Sequence, residues 1–411
     1  MPAQEYMMNA SAGGVPRYRP FTGPAFLQEG FRPFFLGAAL WSALALCLWL
    51  GSLVGHVALP TAFDVLTWHG HEMIFGFAVA AVSGFLLTAI PNWTGRLPLQ
   101  GGPLAVLALT WLAGRAAVTV SVWIGAPLAA AIDLAFLVLL LMAVLREVAA
   151  GRNWRNLPMP MALGLLIAAN LLVHLEALDV AETAALGLRL AMSVLLMLIA
   201  LVGGRIVPSF TRNWLAKRGV TPLPAGFGAV DKVALVAGAV GLAGWVAAAE
   251  PSITGAALIV AGLAAALRLA RWRGYRTATE PLVWVLHAGH GWLALGLFLL
   301  GLSHLWAAVP ATAALHALTA GAIGTMILAV MTRATRGHTG RALAAGLGTT
   351  SIYLLVTVAA ALRVAAAMAT GFYLPLLIAS GAAWVGAFLL FVALYGMPLL
   401  TPRLKTSEPG T

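Results

Sequence analysis

Residues 64–90 read DVLTWHGHEMIFGFAVAAVSGFLLTAI. From Met73 onward the run is apolar, and at ~1.5 Å per residue it is long enough for a helix to cross a ~30 Å hydrocarbon core. Its mouth carries His69, His71 and Glu72. Imidazoles and a carboxylate are costly in hydrocarbon and mark a site that binds them. Residues two apart on a helix project about 200° from each other, so His69 and His71 cannot easily ligate the same metal. His69 shares a face with Glu72 and Met73, and His71 faces elsewhere.

The rest of the chain repeats this apolar pattern. Of 411 residues, 61% are hydrophobic and only 9% charged, which excludes a soluble domain and gives an all-α polytopic membrane protein. Twelve spans are expected at 33–55, 64–90, 103–123, 126–147, 157–177, 184–206, 229–248, 252–271, 281–304, 310–332, 345–368 and 373–398. The single cysteine, Cys47, rules out disulfides within the chain, thiolate zinc sites and iron–sulfur clusters. Nine histidines are then the main supply of metal ligands. Residues 1–30 are polar and hold no short apolar core, so span 1 is expected to direct insertion.

The net charge of +11 reports topology rather than nucleic acid. Arg17, Arg19, Arg32, Arg96, Arg152, Arg155, Arg212, Lys217, Arg218, Lys232, Arg271, Arg273, Arg276, Arg333, Arg336, Arg341, Arg403 and Lys405 fall at alternate span ends. Asp64, Glu176, Asp179, Glu182 and Glu250 fall at the others. By the positive-inside rule both termini are cytoplasmic. The chain divides into a cytoplasmic segment (1–30), a transmembrane domain (31–400) and a cytoplasmic tail (401–411).

Topology converts position into depth. His69, His71, His174, His304 and His316 lie in the periplasmic third, and His287 and His290 in the inner half of span 9. His69 and His316 share a depth on separate helices, as a bis-histidine haem requires. His56 and His304 read as ordinary interfacial residues. Asp133 is placed to pair with Arg115 across the hairpin of spans 3 and 4, as a structural ion pair. The ends of spans 2, 6 and 10 share Thr, Asn, Gly and Arg: PNWTGR from Pro91, GGRIVPSFTRN from Gly203 and MTRATRGHTGR from Met331. Arg96, Arg205, Arg333 and Arg341 there suit an anion, a haem propionate or a quinone headgroup.

WHGHEM, NWTGR, GGRIVPSFT and HALTAGAIGTMILAVMTRATRGHTGR, together with FRPFFLGA at the start of span 1, resemble the NnrS family. The resemblance covers nearly the whole chain. It implies a twelve-span bacterial inner-membrane protein that carries haem and copper and is linked to nitric oxide and denitrification. A more distant likeness is to the catalytic subunits of haem–copper oxidases and nitric oxide reductases, through His69…Met73-Ile74-Phe75, Asn92-Trp93 and His316. It implies that His69 and His316 are the axial pair of a haem b. Those oxidases take copper ligands from spans 6 and 7, and here both spans lack histidine. A copper or second haem would then use His71, His174 or His287, with His290 ranked below His287. Glu72 is a candidate to orient an imidazole or carry protons beside His71.

These implications make the chain a binder or redox catalyst of nitric oxide or a similar small ligand. An electron donor, quinol or cytochrome, is an expected partner, the membrane lipids surround it, and no nucleic acid is expected. A reductase-like oxidoreductase, a non-catalytic haem or metal sensor and a secondary transporter stay open as alternatives. The crowding of histidines in one third of the membrane favours a cofactor over a transported substrate.

Overall fold

In a computed structural model of the protein, residues 21–404 are described. Part of the 1–30 segment and of the 401–411 tail, with Arg17, Arg19 and Lys405, lies outside them. Among these residues, twelve helices are long and apolar enough to cross a membrane: α1 Phe31–Leu53, α2 Val65–Thr94, α3 Gly102–Thr119, α4 Ala126–Ala150, α5 Trp154–Ala177, α6 Ala184–Ala216, α7 Ala229–Val246, α8 Pro251–Arg276, α9 Pro281–Leu305, α10 Ala311–His338, α11 Leu347–Met368 and α12 Tyr373–Leu400. The chain is a multi-pass membrane protein. No strand occurs among the described residues.

Local chemistry starts the helices where the expected spans begin. Asp64 caps α2, accepting from the amides of Leu66 and Thr67 at 2.9 and 3.0 Å. Burial alone would raise this carboxyl, but hydrogen bonding from the Thr67 side chain and from the amides outweighs it and holds it below its ordinary value. Proline occupies the first turn of α3, α4, α8 and α9, where its missing N–H costs nothing. Glu250 and Glu280 cap α8 and α9.

Consecutive helices pack side by side, and α12 returns to pack on α1, so the bundle closes. Where α8 meets α9, Gly255 and Gly301 face each other. A Cβ on Gly301 would stand 2.6 Å from the Gly255 carbonyl, so small residues set that approach. Helices α2, α6 and α10 also touch one another inside the ring. We call the side where α1 begins and α2 ends the near face, and the opposite side the far face.

Each inner helix contains a π segment: Glu72–Ala78 in α2, Ile199–Gly203 in α6 and Ala317–Gly324 in α10. A π turn inserts an extra residue and re-aims the side chains around it, often at functional sites. Two of these segments begin immediately after a histidine, His71 and His316. Helices α6 and α10 also run further than expected. The stretch expected to end span 6 continues as helix to Ala216, because Val207, Thr211 and Leu215 bury one face at a spacing of four. His338, expected in a loop, is the last residue of α10.

Candidate metal and cofactor sites

Six of the nine histidines fall in three places. His69 and His316 line one cavity of about 240 Å³ towards the far face, between α1, α2, α6, α10, α11 and α12. The His69 ring stacks on Trp49, centroids 4.1 Å apart. Its Nδ1 is buried with no hydrogen-bond partner among the described residues. His316 donates Nδ1–H to the Thr312 carbonyl at 2.8 Å. A carbonyl can only accept, so this bond fixes the tautomer and leaves the Nε2 lone pair for a ligand. Arg363 of α11 borders the same cavity, and its side chain makes no ion pair among the described residues. One of its terminal nitrogens is buried without a partner.

His71 points into a different, fully buried cluster. Glu72 accepts from Arg115 at 2.6 Å through Oε1 and from the Trp41 indole at 2.7 Å through Oε2. Arg115 also donates to Asp133, so the expected pair across α3 and α4 forms. Asp133 Oδ2 accepts from Asn170 at 2.8 Å and from His174 Nε2 at 3.0 Å. His71 Nδ1 lies 2.9 Å from Glu72, and Nε2 lies 2.8 Å from Asn170 Oδ1 and 3.2 Å from Asp133. Both ring nitrogens therefore face oxygen acceptors, and both must carry hydrogen. The imidazolium and Arg115 together balance the two carboxylates. Phe63 stacks on His71 and packs its edge on His174, closing the cluster.

His71, Asp133 and His174 offer three donor atoms within 4.8 Å of one another. Two imidazoles and one carboxylate can hold a borderline metal ion. Such an ion would take the place of the hydrogens now on the facing nitrogens.

The third place is the near-face half of α9. His287 Nε2 bonds Thr211 of α6 at 2.8 Å, and His290 Nδ1 donates to the Leu286 carbonyl at 3.2 Å. Both rings meet Trp272 edge-on. His287 joins neither far-face group. Its Nδ1 is buried and unpartnered, against Gly274, where a Cβ would stand 2.3 Å away.

The four arginines of the shared near-face vocabulary do not form one site. Arg205 and Arg333 line a single cavity of about 730 Å³. Arg96 borders a neighbouring cavity and pairs with Glu147 at 2.5 Å. Arg341 makes a long bond of 3.5 Å to the Thr339 carbonyl. Helical rise puts Arg333 roughly 25 Å from His316, beyond the reach of one group held there.

A family model described as NnrS protein matches residues 25–403. The chain belongs to the NnrS family. Comparison with curated proteins finds no match. The match spans all twelve helices, so the three histidine groups and the near-face arginines all lie inside it. Sequence reading did not assign Asn170, Trp41, Trp49 or Arg363 to a site. Asn170 had a signal, as a lone amide amid the apolar stretch from Leu163 to Val173. The two tryptophans had none, since fourteen are spread along the chain.

Proposed function

We propose that this NnrS-family protein binds haem b between α2 and α10 in the bacterial inner membrane, where His69 and His316 would hold it, and acts there on nitric oxide or a similar small ligand. The observation that carries this reading is the cavity shared by His69 and His316, two imidazoles from separate helices. Three details suit the group. His316 is fixed as an Nε2 ligand by Thr312. His69 has an orphaned buried nitrogen, and Arg363 has an unpartnered nitrogen for a propionate. The cavity's 240 Å³ falls just below the usual ~300–1,000 Å³ of ligand pockets. Met73 and Met192 border it, and their unbranched side chains can swing to enlarge it.

Haem supplies an iron centre that binds nitric oxide or exchanges an electron. The chain's own residues orient and shield that centre. Trp49 holds the His69 plane by stacking, Arg363 balances carboxylate charge, and Phe77 and Trp384 line the cavity against water. Glu72 positions His71 from the neighbouring cluster. We assign the second metal, copper by resemblance, to His71, Asp133 and His174, the buried donor set that meets at one point. Of the near-face arginines, Arg205 and Arg333 are left free for an anion or an electron donor's headgroup.

The test is an optical spectrum of detergent-purified protein, oxidised and dithionite-reduced, then with nitric oxide. Haem b with sharp reduced bands that nitric oxide perturbs is expected. His69→Ala and His316→Ala should each abolish the Soret band while the protein stays monodisperse. A preparation that remains colourless after haem reconstitution, or a variant with unchanged haem content, sinks the assignment.

A further inference from the structure

The near-face cavity measures about 730 Å³, and the haem reading makes no use of it. Three arginines from separate elements line it: Arg155 at the start of α5, Arg205 in α6 and Arg333 in α10. Among the described residues none of the three has a carboxylate within ion-pair distance or makes a side-chain hydrogen bond. Arg333 lies over the Phe210 ring, 3.8 Å from its centroid, which holds the guanidinium in place without neutralising it. Some other arginines of this face are ion-paired. Arg96 has Glu147, and Arg268 and Arg271 share Asp231. Glu29, beside His338 on the cavity's flank, is held by Arg32 at 3.5 Å. Burial raises the Glu29 carboxyl above its ordinary value against the pull of that arginine.

The cavity is not polar throughout. Asn92, Asn156 and the arginines make up the polar part of its lining, and Phe35, Phe85, Met159, Val202, Ile206 and Val330 belong to the apolar part. The same six residues line a second, wholly apolar slot of about 90 Å³ between α2, α6 and α10. An arginine-lined cavity that shares its apolar wall with an apolar slot matches a molecule with an anionic head and a hydrocarbon tail. Guanidinium groups favour phosphate through paired, charge-assisted hydrogen bonds. The positive-inside rule explains arginines on this face, but not why three converge unpaired on one deep cavity.

We propose that this cavity binds one anionic phospholipid, its phosphate between Arg155, Arg205 and Arg333 and the start of one acyl chain in the slot. The test uses native mass spectrometry of the full detergent-purified chain with phosphatidylglycerol or phosphatidylcholine of equal chain length. One phosphatidylglycerol should be retained, roughly tenfold more tightly than phosphatidylcholine. R205Q and R333Q should each lower that preference severalfold, and the pair should abolish it. R152Q, in the neighbouring loop outside the cavity, should leave it unchanged. Equal retention of the two lipids, or an R152Q effect as large as that of R205Q, overturns the proposal. A thermal-shift series on the unmodified protein needs no variant. Phosphatidylglycerol should raise the midpoint and millimolar inorganic phosphate should not. Equal stabilisation by phosphate alone would mean that a free anion is recognised, and would overturn the lipid assignment. None of these readouts depends on haem.

Discussion

His71 sits between Glu72 and Asn170 with oxygen at both ring nitrogens, so the cluster's charges balance only as a set. Breaking one partner of a buried pair leaves an uncompensated charge and costs about 3–5 kcal/mol, whereas replacing both by apolar groups is often neutral. Arg115→Met and Asp133→Leu should therefore each lower the thermal midpoint sharply, and the double variant should cost well below their sum. Additive losses would show that Arg115 and Asp133 do not act as a pair. His174 gives a separate readout. His174→Ala should remove the second metal, measured by elemental analysis, and leave the haem spectrum intact, because His69 and His316 lie in another cavity. Loss of both together would merge the two sites. Residue spacing already told His69 from His71. It did not reveal that Asp133 would meet His71 and His174, because that contact joins α2, α4 and α5 and exists only in the packed bundle.

At the scale of elements, the π segments decide where the histidines aim. Downstream of Ala78 helix α2 is regular, so the extra residue in Glu72–Ala78 sets the rotation of His69 and His71 against the rest of the helix. Deleting Ala78 should restore α geometry and turn both histidines by about 100°. The expected outcome is folded protein with little haem, while alanine in place of Phe77 should lose far less. A deletion variant with full haem content would show that the π turn does not aim the ligand. The start of the same helix rests on Asp64. Asp64→Ala should cost about 1 kcal/mol. Because the folded carboxyl lies below its ordinary value, its contribution is complete above about pH 4 and fades as pH falls through the folded value. Asp64→Asn, which keeps the cap without the charge, should flatten that acid-side loss of thermal midpoint.

Over the whole molecule, hydropathy made the twelve crossings legible, and shared depth paired His69 with His316. The ends of α6 and α10 were harder to read, since Arg205, Pro208 and Arg212 resemble a loop until the buried row Val207, Thr211 and Leu215 is seen against its neighbours. The same charge pattern carries the orientation of the bundle. The near face holds Arg96, Arg152, Arg155, Lys217, Arg218, Arg273 and Arg276, and the far face holds Asp64, Asp179, Glu182 and Glu250. Basic residues in short loops are retained on the cytoplasmic side, so the near face should be cytoplasmic. Cys47 is exposed on α1 and is the chain's single cysteine, so Cys47→Ser gives a clean background for labelling. In that background, Ala181→Cys marks the far face and Lys217→Cys the near face. A membrane-impermeant maleimide added to intact spheroplasts should label the Ala181→Cys protein at once, and the Lys217→Cys protein only after lysis. The opposite pattern would invert the bundle. It would put the His69–His316 cavity near the cytoplasm and the arginine-lined cavity at the outer leaflet, and the source of the lipid and of any electron donor would change sides with it.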